Sequence, residues 1–195
     1  MNYQDTEVNS MTKSFKSLNE KTLSTRSVFE GKVVSLHIDT VELPNGETAT
    51  REIIRHPGAV AVLAVREGRI LLVDQYRQAL GRCELEIPAG KLEKGEEPSE
   101  AAKRELEEET GYRAGKITLL HSFYTSPGFA DEIIHLYLAE ELTSGEASPD
   151  EDEFLELYEV SAEEAKNFIT EGRISDAKTV LAFYIWQSRQ KSGGQ

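Results

Sequence analysis

Residues 90–112 (GKLEKGEEPSEAAKRELEEETGY) constrain the chain more than any other stretch. Pro98 suits the first turn of a helix, where a missing N–H costs nothing, and Gly111 suits the position just past its end. The residues between them are good helix formers with no β-branched residue before Thr110, so the pattern predicts a helix between Pro98 and Gly111. On that helix Glu105 lies three residues from Glu108 and four from Glu109, which crowds three carboxylates onto one side. Like charges at that spacing repel, and selection for stability alone would avoid them. A bound divalent cation reverses the sign of the effect, because hard Mg²⁺ selects carboxylate oxygens. Arg104 is placed to pair with Glu108 or Glu100, and Ala102 and Leu106 supply an apolar side facing a core. Gly90 and Gly95 have Walker A loop spacing, but Glu96 and Glu97 stand where Lys and Ser or Thr must be, which excludes that reading.

The 195 residues suit one domain, or one domain with a small appendage. A net charge of −13 argues against nucleic-acid and anionic-membrane surfaces, while a cation-dependent enzyme acting on an anionic diphosphate still fits. Cys83 is the single cysteine; it is expected to be an ordinary buried strand residue in a reducing compartment. No apolar run approaches a membrane span and the polar N-terminus lacks a signal-peptide core, so the expected location is the cytoplasm.

Residues 1–18 read as a polar leader, with Met11 as an alternative start. Val34, Leu36, Ile38 and Val41 then alternate with polar residues up to a turn at Pro44-Asn45-Gly46, and a second run spans Thr48 to His56, which is a hairpin pattern. Residues 19–56 are therefore expected to form a small N-terminal β subdomain. Strands are expected at Gly58 to Val65, Ile70 to Val73, Cys83 to Ile87, Ile117 to Phe123, Ile133 to Leu138 and Phe154 to Val160. Ser161 and Glu164 have capping-box spacing for a helix ending near Gly172. Ala177, Val180, Leu181, Tyr184 and Ile185 mark one face of a last helix, with Trp186 as packing, before a frayed tail at 191–195. His56, His121 and His135 lack metal-ligand spacing and are expected to be core or edge residues. Strands on both sides of an acidic helix, with helices behind, predict an α/β fold with a mixed central sheet between helices over residues 57–190.

Gly90, Glu96, Arg104, Glu105, Leu106, Glu108, Glu109 and Gly111 fall at the fixed positions of the Nudix box, with Tyr112 in place of its final aliphatic residue. The chain thus resembles the Nudix hydrolases, which cleave nucleoside diphosphates linked to another group, and this likeness implies the same α/β/α sandwich. Pro127, sixteen residues beyond Gly111, resembles the mark of the ADP-ribose pyrophosphatase branch. The stretches at 41–46, 51–52, 56–60 and 87–90 resemble bacterial members of it.

That resemblance implies Mg²⁺-dependent hydrolysis of ADP-ribose to AMP and ribose 5-phosphate. It implies two or three Mg²⁺ ions per site (Mn²⁺ as an alternative), held by Glu105, Glu109 and the Ala89 carbonyl, with Glu108 as a further or shared ligand. Glu96 and Arg104 would orient these ligands. The base that activates water would lie on the loop from Leu142 to Glu153, with Glu151 first and Glu153 as base or added metal ligand. Arg51 and Glu52 would lie near the adenine, Arg77 near the diphosphate, and Ser126, Gly128 and Glu132 around the terminal ribose. Relatives often stack an aromatic on the adenine, and Gly31 to Leu36 has none. The branch exchanges its N-terminal hairpin between two subunits, which implies a domain-swapped homodimer. Two rivals remain: a Nudix enzyme of another substrate (sugar nucleotide, dinucleoside polyphosphate or coenzyme diphosphate), and a non-catalytic ADP-ribose sensor. Pro127 speaks against the first; retention of Glu105, Glu108 and Glu109 and the lack of a basic DNA-binding segment speak against the second.

Overall fold

The alternation that includes Leu36 and Ile38 forms a hairpin. In the computed structural model, which describes residues 18–149 and 153–192, β2 (Ser35–Glu42) pairs antiparallel with β3 (Thr48–Arg55), from Ser35↔Arg55 to Glu42↔Thr48. Gly46 closes the turn with a φ of 85°, a left-handed conformation that favours glycine. Of the expected leader only Leu18 falls within the described residues; Glu151 and residues 193–195 lie outside them.

A strand absent from the sequence reading, β1 (Lys21–Glu30), pairs with β2 and completes an antiparallel sheet of order β1-β2-β3. All ten of its residues are exposed, so no buried face imposes an alternation on its sequence. Residues 126–131 cluster with this unit. Ile54 N–H donates to the Phe129 carbonyl at 2.7 Å, and the Asp131 carboxylate accepts from Arg55 Nη1 and the His56 N–H, each at 2.9 Å.

The second unit holds β4 (Ala59–Arg66), β5 (Arg69–Arg77), β6 (Arg82–Glu86), β7 (Ala89–Lys91), β8 (Tyr112–Tyr124), β9 (Ile133–Ser144) and β10 (Leu155–Val160). Its helices are α1 (Pro98–Thr110), α2 (Ala162–Thr170) and α3 (Ala177–Ser192). The sheet runs β10-β5-β4-β9-β8, with β6 on β5 and β7 on β4. β4 and β9 are parallel and the other pairs antiparallel, so the sheet is mixed. β4 shows why this becomes a sandwich. Ala61 and Leu63 join Leu85, Ile87, Ala165, Ala182, Phe183 and Trp186 on one side, whereas Val60, Val62 and Ala64 join Ala101, Ala102 and Leu106 of α1 on the other. Truncating a wholly buried side chain such as Leu106 to alanine costs about 2–5 kcal/mol. The capping box of α2 is present: Ser161 Oγ accepts the Glu164 N–H, and the Glu164 carboxylate accepts the Ser161 N–H.

Three expectations need correction. β9 continues to Ser144, so Leu142–Ser144 are strand and the loop begins after them. Cys83 is exposed on β6, not buried. The buried side of α3 carries Lys178, Thr179, Ala182, Phe183 and Trp186, while Ala177 and Tyr184 face outward. Val180, Ile185 and Trp186 do pack against the core as expected, and the rest of the face was misplaced because Lys178 and Thr179 are buried with polar partners. Among the described residues, no helix is long and apolar enough to cross a membrane.

Candidate active site

The box loop and α1 place their functional atoms through defined ends. Pro98 occupies the first turn, Glu97 before it is extended, and Gly111 stops the helix in the left-handed conformation at φ 71°. Leu106 and Ala102 fix the roll of the helix, turning Glu105 and Glu109 toward the Ala89–Gly90 segment that follows β6. Glu109 is 7% exposed, and its Oε2 accepts the Ala89 N–H at 3.1 Å. Burial first, and then the charge of Glu105, push the Glu109 carboxyl up to about 8. Burial also raises Glu105, against the opposing effect of Arg104.

Arg104 is the hub of the acidic face. Its Nε and Nη2 donate to Glu96 at 2.9 and 3.0 Å, and Nη1 donates to Glu105 at 2.8 Å and to Glu108 at 2.9 Å. Of the two pairings open to Arg104 in the sequence, that with Glu108 forms and that with Glu100 does not: Glu100 is taken by Lys103 at 2.8 Å. Arg104 therefore ties the loop residue Glu96 to two helix carboxylates, and its guanidinium draws Glu96 below the usual carboxylate range.

The donor set fits a hard divalent cation. Burial and the Glu105 charge raise the Glu109 carboxyl because little positive charge balances the pair, and a hard cation bound by these carboxylate oxygens would supply it. Among the described residues, no three acidic, histidine or cysteine side chains are already gathered as a finished metal cluster. Arg104 Nη1 stands between Glu105 and Glu108 instead.

The loop after β9 is fastened to the end of α1. Gly145 N–H donates to the Gly111 carbonyl at 2.5 Å and Ser148 N–H to the Glu108 carbonyl at 2.9 Å. A Cβ on Gly111 would lie 2.8 Å from the Ala147 nitrogen, so this position needs glycine for close approach as well as for its φ. Farther along, the charge of Glu153 reaches both Glu105 and Glu109 and raises each. Glu153 and Phe154 line an open groove of about 570 Å³ with Asp74, Tyr76, Cys83 and Pro149.

Arg77 ends β5 and grips Glu86 through Nε at 2.6 Å and Nη2 at 2.8 Å, close enough to Glu109 for the two charges to interact. Glu132 accepts the Thr125 hydroxyl at 2.6 Å in this same unit. Arg51, Glu52, Ser126 and Gly128 belong to the N-terminal unit. There Arg51 pairs with Glu20 through Nε at 3.0 Å and Nη2 at 2.5 Å, and Glu52 is exposed on β3. The Ser126 carbonyl accepts the N–H groups of Phe129 and Ala130, and Gly128 faces open space. Sequence reasoning passed over Glu86 and Lys178, which read as ordinary strand and helix charges. It also passed over Phe29, an exposed aromatic on β1.

Comparison with known families agrees with this geometry: residues 54–183 match the NUDIX domain and residues 20–54 the nucleoside diphosphate sugar hydrolase N-terminal domain. The chain belongs to the Nudix family and is a Nudix hydrolase. It is 55% identical to the ADP-ribose pyrophosphatase of Bacillus subtilis (strain 168), over 90% of this chain and 96% of that one. It is 56% identical to the methanol dehydrogenase activator of Bacillus methanolicus, over 88% of this chain and 94% of that one. The fold is shared with a crystal structure of an ADP compounds hydrolase at a TM-score of 0.81 and 22% identity, covering 90% and 96% of the two chains.

Proposed function

We propose that the protein hydrolyses the diphosphate of ADP-ribose to AMP and ribose 5-phosphate with Mg²⁺. The observation that carries this reading is the oxygen-donor side of α1, where Glu109 accepts the Ala89 N–H within charge reach of Arg77, Glu105 lies against Gly90, and Arg104 joins Glu105 to Glu108. The relationship to the Bacillus subtilis enzyme supports the choice of substrate. Glu105, Glu108, Glu109 and the Ala89 carbonyl would hold two or three Mg²⁺ ions, with Mn²⁺ as a substitute. When bound, such cations supply charge neutralisation and Lewis-acid polarisation of the diphosphate. Arg104 keeps Glu105 and Glu108 in place, and Arg77 offers its free N–H groups to phosphate oxygens. Glu153 would take the proton from the attacking water at its carboxylate, a role that Glu151 shares as a candidate.

Arg51 and Glu52 are proposed adenine contacts, with Phe29 as a stacking surface in the same sheet, and Ser126, Gly128 and Glu132 as contacts to the terminal ribose. The N-terminal β unit (19–56), with β1 as an edge strand among the described residues, is the proposed dimerisation element, exchanged between two copies, and 57–190 the catalytic part. A cytoplasmic location accords with the single reduced thiol. Incubation of the purified protein with ADP-ribose and Mg²⁺, with AMP and ribose 5-phosphate detected, tests the reading. Cleavage of a sugar nucleotide, dinucleoside polyphosphate or coenzyme diphosphate in the same panel, with ADP-ribose left intact, overturns it. Size-exclusion chromatography with light scattering tests the dimer.

A second reading comes from the Bacillus methanolicus relative. On that reading the protein also activates an alcohol dehydrogenase. Adding it to such an enzyme with and without Mg²⁺ decides the matter.

A further inference from the structure

Glu86 is the last residue of β6 and its side chain is 4% exposed. Its two oxygens accept Nε and Nη2 of Arg77 as a fork, and Oε2 also accepts Lys178 Nζ. Lys178 stands in the first turn of α3, 8% exposed, and pairs with Asp176 at 3.0 Å as well. Asp176 is itself held: it accepts the Thr179 N–H at 2.9 Å and the Thr179 hydroxyl at 2.6 Å. That hydroxyl accepts the Ile87 N–H at 3.0 Å, which returns the chain of contacts to the residue after Glu86.

Docking a helix on a strand does not call for such a network. Buried ion pairs are often no more stabilising than apolar residues of the same volume. One turn farther along α3, Ala182, Phe183 and Trp186 dock it with apolar contacts alone. What the ionic chain adds is a fixed Arg77. An arginine has five N–H donors, and Glu86 occupies two of them, leaving Nη1 and one Nη2 proton to bind something else. A guanidinium already locked in direction loses less side-chain freedom when an anion arrives. Lys178, gripping Glu86 from the other side, keeps that carboxylate from following Arg77 if it swings.

We propose that Glu86 and Lys178 are positioning residues for Arg77, holding its guanidinium so that its remaining N–H groups meet a diphosphate beside Glu109. This rests on the reading of Arg77 as a diphosphate contact. Binding of a non-hydrolysable methylene analogue of ADP-ribose in Mg²⁺, measured by calorimetry alongside kcat and KM, tests it. Arg77→Ala is expected to weaken binding about tenfold, as for loss of a bidentate charged contact. Glu86→Gln keeps the shape of the side chain, loosens the fork and weakens binding several-fold. The double variant is expected to bind no worse than Arg77→Ala alone, because both act through one guanidinium.

Lys178→Met shifts KM more than kcat in the same direction, and this carries the test if Glu86→Gln does not fold. A purely structural Glu86 would instead lower the melting temperature and add its full loss to that of Arg77→Ala; that outcome overturns the proposal. Normal binding by Glu86→Gln beside weak binding by Arg77→Ala overturns it too, leaving the substrate reading intact. Normal binding by Arg77→Ala removes the substrate reading of Arg77 itself.

Discussion

Gly90 and the Glu105 carboxylate share one space: a Cβ on Gly90 would stand 1.9 Å from Glu105 Cδ and 2.0 and 2.2 Å from its oxygens. The φ of Gly90 lies outside the left-handed region, so glycine is needed here for clearance and not for a turn. The first glycine of the box and its central carboxylate form a single fitted unit.

Gly90→Ala should therefore fold and lose activity. The atoms displaced are the far end of a side chain, so Glu105 swings aside while the sheet stays intact. A shift of about 1 Å in a catalytic ligand is expected to lower kcat by about 10²-fold. Steady-state kinetics with circular dichroism checks it; unchanged kcat contradicts the fit.

Glu109→Gln should separate chemistry from stability. Without a cation the Glu109 carboxyl, at about 8, is protonated near neutral pH, and an amide resembles it. In chelator its melting temperature should match wild type near pH 4.5 and lie above it at neutral pH, where wild type has to take up a proton to fold. Mg²⁺-dependent turnover should fall about a thousandfold, and Mg²⁺ should cease to raise the melting temperature.

The same group sets a pH dependence. The folded protein keeps this proton up to about 8, whereas the unfolded chain loses it near the ordinary 4.5. Between those values the native state binds more protons, so this group's contribution to stability falls as pH rises and levels off above about 8. A divalent cation has to displace that proton, so its affinity rises over the same window. Melting curves of wild type minus Glu109→Gln, in chelator and in Mg²⁺, should show both trends; a flat difference in chelator excludes the raised carboxyl.

Glu153→Gln should leave Mg²⁺ binding in place and slow turnover by about 10²–10⁴-fold, the usual contribution of a general base. A wild-type rate would transfer the role to another carboxylate of the loop.

Much of this was legible in the sequence because local chemistry decided it. Pro98, Gly111 and the Ser161–Glu164 pair act within one turn of their own positions, and the hairpin follows from Asn45-Gly46 between alternating runs. The acidic side of α1 was legible because helical spacing puts Glu105 within charge reach of both Glu108 and Glu109. β1 was not, since a strand with no buried residue carries no period. The face of α3 was misread for the opposite reason: Lys178 and Thr179 are buried because Glu86, Asp176 and Ile87, distant in the chain, satisfy them. The i+4 pair of Arg104 with Glu108 was legible, whereas its grip on Glu96 in place of Glu100 follows from the box loop folding back along the helix, a three-dimensional fact that spacing does not contain.

The contacts of Gly145 and Ser148 with Gly111 and Glu108 are made by main-chain atoms at both ends. Changing a side chain such as that of Ser148 leaves such a clasp intact, whereas adding or deleting a residue between Gly145 and Ser148 puts the two contacts out of phase. Over residues 145–148, residue number is thus what the clasp must keep, and an engineer has freedom of composition there only at the positions other than Gly145, where a Cβ would lie 3.0 Å from the Gly111 carbonyl oxygen.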